Sequence, residues 1–147
     1  MKTVDEKGHQ YFTIRLVAAL IRDGKCLIMR YADTYKKNMW GFPGGRMDAD
    51  ELPEESFIRE MKEETGIDNF KILGTVDYDL WYHPPKHHPA GAIIVLIEND
   101  NDEIKMSEEH DKIAWVTAEE VDNYDFIWPQ GTRMVKKAFE YYKLLNK

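Results

Sequence analysis

Residues 45–67 read GRMDADELPEESFIREMKEETGI. Pro53 suits the first turn of a helix, Glu54 and Glu55 place negative charge where the helix dipole favours it, and Gly66 stands where a left-handed residue ends a helix. A helix over Leu52–Thr65 is the expectation. At about 100° per residue, Glu60, Glu63 and Glu64 fall within about 100° of one face, and Phe57, Ile58 and Met61 occupy the adjoining arc. Like charges three and four residues apart destabilise a helix by roughly a few tenths of a kcal/mol per pair. Here they also border the face that goes into the core. A hard divalent cation neutralises such a cluster, and carboxylate and water oxygens are its usual ligands when substrate phosphates share the coordination sphere. Just upstream stands Trp40-Gly41-Phe42-Pro43-Gly44-Gly45. Two glycines after a proline exclude a helix and suit a tight, exposed turn, whose bare backbone can approach a phosphate or offer a carbonyl to a metal. The competing reading of the three acids alone is a solvated helix face.

Working outward, Tyr11–Ile21 and Cys26–Tyr31 are apolar, β-branched-rich runs joined by Arg22-Asp23-Gly24-Lys25, and Asp-Gly between such runs signals a hairpin. Ala32–Met39 reads as a loop. Lys71–Tyr82, Ala92–Glu98 and Lys112–Val116 read as strands, and His83–Gly91 as a loop rich in proline and histidine. Thr117-Ala118-Glu119-Glu120 is a capping box. A last helix, Thr132–Leu145, brings Met134, Val135, Ala138, Phe139, Tyr142 and Leu145 to one face. Residues 1–10 are polar and expected to fray. Strands of both kinds with a few helices imply helices packed on a mixed sheet, in one domain across residues 1–147.

The formal net charge of −7 argues against a nucleic-acid polymer as partner, since that needs clustered Lys and Arg. A small phosphate-bearing ligand remains compatible, provided a divalent cation reverses the local field. Cys26 stands alone, so no intrachain disulfide forms, and its apolar neighbours make it a small core residue. No apolar run approaches the ~18 residues of a membrane span, and no leader pattern opens the chain. A cytoplasmic protein without a membrane partner is the expectation.

The spacing Gly45-x5-Glu51-x7-Arg59-Glu60-Met61-x-Glu63-Glu64-x-Gly66-Ile67 resembles the signature box of the Nudix hydrolase family (MutT-like) at every position. So many fixed residue types coincide by chance below about once in ten million starting points. The order of hairpin, Pro-Gly-Gly turn, helix, strands and final helix is similar to the rest of that fold. The resemblance implies an α/β (α+β) architecture, an α/β/α sandwich with a central mixed sheet. It also implies attack of a metal-activated water on a phosphorus of a nucleoside diphosphate derivative. Glu60, Glu63 and Glu64 would hold Mg²⁺ or Mn²⁺, with Gly45 adding backbone contacts, and Arg59 would orient the acids through charge-assisted hydrogen bonds. Glu51 and Gly66 would complete the box, and Gly44 and Gly45 would lie against the substrate.

Outside the box, Ser107-Glu108-Glu109-His110-Asp111 lies shortly before Trp115, and Glu109 is similar to the extra ligand or base of the MutT-like branch; a polar loop is the alternative. His83, His87 and His88 read as an ordinary exposed loop, with a lid touching phosphate or base as the alternative; a zinc site is disfavoured because the further ligand spacings zinc needs are missing. Phe126-Ile127-Trp128-Pro129-Gln130 resembles a purine-stacking segment, with Trp128 against the base and Gln130 at its edge. Gln130-Gly131 replaces the acidic pair such segments carry, and Trp128 as a core anchor is the competing reading. The expected activity is therefore a nucleoside triphosphate pyrophosphohydrolase yielding NMP and pyrophosphate. The alternatives are cleavage of ADP-ribose, a nucleotide sugar or a dinucleoside polyphosphate, and a non-catalytic nucleotide-sensing module. Open strand edges and aromatic loops would permit a homodimer.

Overall fold

The computed structural model describes residues 3–33, 38–83, 88–100 and 102–146, the side chains of His83 and His88 excepted. Strands β1 (Thr13–Arg22) and β2 (Lys25–Tyr31) form the expected hairpin, pairing Ile21 with Cys26 and Arg22 with Lys25. Asp23 (φ 49) and Gly24 (φ 75) are both left-handed, as a two-residue turn matched to the strand twist requires. After those pairs the two strands part. The first half of β1 instead takes β4 (Gly44–Arg46) on one side and β6 (His88–Glu98), in parallel, on the other. β2 continues the sheet through β3 (Trp40–Gly41) and β7 (His110–Val116), and β5 (Lys71–His83) forms the far edge beside β6. The path is β3-β2-β1-β6-β5, with β4 beside β1 and β7 beside β2. That fork in the sheet opens the space the site occupies.

The alternation of β1 divides the core in two. Val17, Ala19 and Ile21 face helix α2 (Gly131–Leu145), whose Met134, Val135, Ala138 and Phe139 are buried on them. Leu16, Ala18 and Leu20 face helix α1 (Pro53–Thr65) through Phe57 and Met61. One helix thus covers each face, which confirms the layered mixed-sheet architecture. Helix α1 starts with Pro53 at its first position and ends at Gly66 (φ 78), whose N–H bonds the Lys62 carbonyl at 3.0 Å. The capping box closes reciprocally. Thr117 N–H donates to Glu120 Oε1 at 3.3 Å and Glu120 N–H to Thr117 Oγ at 3.1 Å, opening a 3-10 turn over Glu120–Asn123.

Three expectations are corrected, and the form of the N-terminal segment is described with them. Gly44 and Gly45 are not an exposed turn but a buried strand, because β1 has vacant backbone partners where β2 leaves it. His83, His88, Pro89, Ala90 and Gly91 belong to the β5–β6 ladder, His83 opposite His88, while His87 lies outside the described residues. Residues 4–10 close into a small turn, with a bridge between Val4 and Gln10 and the Asp5 carboxylate accepting from the N–H groups of Lys7 and His9. Leu145 is 48% exposed, since α2 outruns the sheet it covers.

Candidate active site

The site is assembled where β4 meets α1. At Gly44 (φ +130) any Cβ would collide with the Leu16 carbonyl, so only glycine lets the strand lie this close to β1. That approach aims the Gly44 N–H at helix α1, where it donates to Glu64 Oε2 at 2.6 Å. Glu64 is 5% exposed. Burial pushes its carboxyl up to about 9 against the Gly44 hydrogen bond, which favours the charged form, and the neighbouring Glu109 and Glu60 push it the same way as burial. Glu60 is pressed against Gly45, at which a Cβ would sit 2.6 Å from the glutamate's Cδ. Burial raises the Glu60 carboxyl, partly offset by Arg59.

Arg59 organises the outer ring of acids. Its Nε and Nη2 donate to the two oxygens of Glu51 at 2.7 and 2.9 Å, a bidentate fork, while Nη1 reaches Glu60 at 3.0 Å and Glu63 at 3.4 Å. The hydrogen bonds from Arg59 hold Glu51 down at about 2, and the same acids keep Arg59 protonated well above the ordinary arginine range. Glu63 remains on the surface, its side chain 56% exposed.

Opposite α1, the loop before β7 carries Glu108 and Glu109 to the far rim of a cleft of about 620 Å³. The Ala32 N–H donates to the Glu109 carbonyl at 2.9 Å, tying that loop to the end of β2. Gly44, Gly45, Glu60 and Glu64 form the near wall. Of the residues named from the sequence, Glu60, Glu64 and Glu109 thus line one cleft with both glycines, while Arg59 and Glu63 stand outside its lining, Arg59 bonded to Glu60 and Glu63. Trp128 and Gln130 do not join them. Trp128 is 6% exposed, packed on Phe42 at 6.2 Å and Trp81 at 5.6 Å between ring centroids. It borders a second cleft of about 470 Å³ with Met39, Asp125, Phe126 and Thr132, while Gln130 lines neither. Tyr31, which lines the first cleft, donates its N–H to the carbonyl of Met39, which lines the second, at 2.9 Å.

Sequence reasoning missed Arg15, Tyr31 and Arg46, which line the first cleft. Arg15 lies on β1 directly across the ladder from Arg46 on β4. The available signal was a lone arginine in the apolar run Tyr11–Ile21. Burial lowers its affinity for a proton, while Tyr31, Glu64 and Glu109 oppose that and Arg46 adds to it. Tyr31 is itself pushed up to about 12 by burial.

Among the described residues no three acid, histidine or cysteine groups converge on one point as a finished metal site. The donor chemistry nevertheless fits a hard cation. A buried carboxyl with one backbone hydrogen bond has two further acids beside it, and Arg59 draws Glu60 and Glu63 aside.

Comparison with known proteins agrees with this geometry. The model of the NUDIX domain matches residues 13–138. The chain belongs to the Nudix hydrolase family. A CTP pyrophosphohydrolase of Escherichia coli (strain K12) is 33% identical over 123 residues, 76% of this chain and 81% of that protein. An 8-oxo-dGTP diphosphatase of Proteus vulgaris is 35% identical over 78 residues, 52% of this chain and 66% of its own length. Among solved structures, a C. elegans Ap4A hydrolase in a binary complex superposes with a TM-score of 0.72 at 18% identity, covering 89% of this chain and 98% of that one, which speaks for the Nudix fold alone.

Proposed function

We propose that this Nudix hydrolase is a Mg²⁺-dependent nucleoside triphosphate pyrophosphohydrolase that releases a nucleoside monophosphate and pyrophosphate. The observation that carries the reading is Glu64, a buried carboxyl held by the Gly44 N–H and crowded by Glu60 and Glu109. Such a cluster is costly until a cation completes it. Glu60, Glu63 and Glu64 from α1 are the residues that would hold Mg²⁺ or Mn²⁺, facing Glu109 across the cleft. When bound, the ion stabilises charge developing on the phosphoryl oxygens and acidifies a coordinated water.

The chain's own residues do the rest. Gly44 fixes one oxygen of Glu64, so its other oxygen faces the cleft in a set direction. Arg59, itself locked by Glu51, governs how far Glu60 and Glu63 turn inward. Glu109 stands on the opposite rim and takes the proton from the attacking water. Beyond the phosphates, the nucleoside crosses the Tyr31–Met39 contact, and the base enters the second cleft, where Trp128 and Phe126 give aromatic surface and Thr132 and Asp125 give hydrogen-bonding groups. Gln130 is assigned no direct base contact in this arrangement.

A nucleotide panel with Mg²⁺, resolved by product, tests the reading. Triphosphates are expected to yield monophosphate and pyrophosphate, with Glu64→Gln slower by about a hundredfold or more. Equal rates for the two proteins overturn the assignment of Glu64. A sugar phosphate or nucleotide pair as product would place the substrate among nucleotide sugars or dinucleoside polyphosphates instead.

A further inference from the structure

Arg15 and Arg46 face each other across the β1–β4 ladder, and both line the carboxylate cleft. Like charges directly opposite in an antiparallel pair destabilise it. Neither guanidinium makes a hydrogen bond or ion pair with the described residues. Arg15 is partly exposed on its strand, where it lines the cleft. The other cleft-lining arrangement near them is acidic: Glu64 and Glu109 act on Arg15 through space without bonding to it. Two cationic side chains, opposite each other on one ladder, therefore line an otherwise acidic cleft. Arginine forks match the oxygen spacing of phosphoryl groups and stay charged under all relevant conditions.

We propose that Arg15 and Arg46 form an anion seat for the diphosphate portion of the substrate that departs, so that the pair selects substrates by the charge they carry there. The inference rests on the pyrophosphohydrolase reading and adds to it the residues that recognise the leaving group. The acids of α1 and the arginines of β1 and β4 then act on two ends of one phosphate chain. A triphosphate, whose departing part is a free pyrophosphate of high charge, uses both arginines. A nucleotide sugar, whose departing part is a singly substituted phosphate, uses them less.

The experiment compares wild type with Arg15→Gln, Arg46→Gln and the double variant in Mg²⁺. One readout is KM and kcat for nucleoside triphosphates and for ADP-ribose. The other is calorimetric titration with magnesium pyrophosphate, which needs no turnover. Each single variant is expected to weaken pyrophosphate binding and raise the triphosphate KM by about tenfold or more, and the double variant by about a hundredfold, with a smaller change for ADP-ribose. Melting curves without ligand are expected to be unchanged or higher in the variants, because a like-charge pair is relieved, while the rise in Tm on adding pyrophosphate is lost. Unchanged pyrophosphate affinity in the double variant overturns the proposal, as does an equal loss for every substrate. If wild type cleaves no triphosphate yet binds pyrophosphate through these arginines, the activity reading fails and the anion seat stands. Turnover of triphosphates indifferent to both substitutions gives the converse.

Discussion

At Glu64 the requirements of folding and of chemistry oppose each other. The carboxyl is buried and pushed up to about 9, whereas it would ionise near 4.5 in an open chain. Because the folded state holds the proton more tightly, the stability from this linkage is fully present below about 4.5 and lost as the pH rises toward about 9. In metal-free protein, the urea midpoint should therefore decline from pH 5 to pH 9 in wild type and decline less in Glu64→Gln, which has no proton to lose. Parallel profiles would show that Glu64 is not the titrating group. That this residue belongs to the acidic cluster was legible from spacing, since a helix carries no other signal that singles out one acid from another. Its hydrogen bond to Gly44 was not, because the partner lies twenty residues away in a segment whose strand pairing has no propensity signature. Arg15 was missed for a related reason: a single charge in an apolar run looks the same whether it points to solvent or into a cleft.

Among the elements, α1 and the β1–β2 hairpin were readable to within a residue or two, because proline, Asp-Gly and the terminal glycine each act locally. The ladder from His88 to Gly91 was not, since Pro89 and Gly91 are poor strand formers held there by neighbours on β1 and β5. Likewise β4 exists because β1 needs partners after the hairpin splays. Arg59 ties α1 to the segment before it, its fork spanning Glu51 before the helix and Glu60 within it. Arg59→Lys keeps the charge and loses the bidentate geometry. It should leave the circular dichroism and Tm nearly unchanged while weakening Mg²⁺-dependent activity by roughly 10–100-fold, the usual effect of a supporting residue at a metal site. A magnesium titration at saturating substrate measures this, and an unaltered midpoint would remove the positioning role.

For the whole molecule, the two helices on opposite faces of the sheet are unequal partners. Helix α1 supplies Glu60 and Glu64 to the carboxylate cleft, whereas α2 supplies Met134, Val135, Ala138 and Phe139 to the larger core and, among the described residues, no side chain to that cleft. Met134 is fully buried, so Met134→Ala should cost about 2–5 kcal/mol, a fall in Tm of roughly 6–15 °C, with kcat nearly unchanged at 10 °C where the variant stays folded. A matching drop in kcat at that temperature would instead couple α2 to the reaction. No helix among the described residues is long and apolar enough to cross a membrane. The close seating of Gly44 against Leu16 has a further consequence for how such a protein diversifies. Glu64 is bolted to the sheet by main chain, which mutation of surrounding side chains leaves in place, while the walls near Met39 and Phe126 are built from side chains on connecting segments. New substrates can then be acquired by redecorating the periphery, with the bond-breaking apparatus inherited intact.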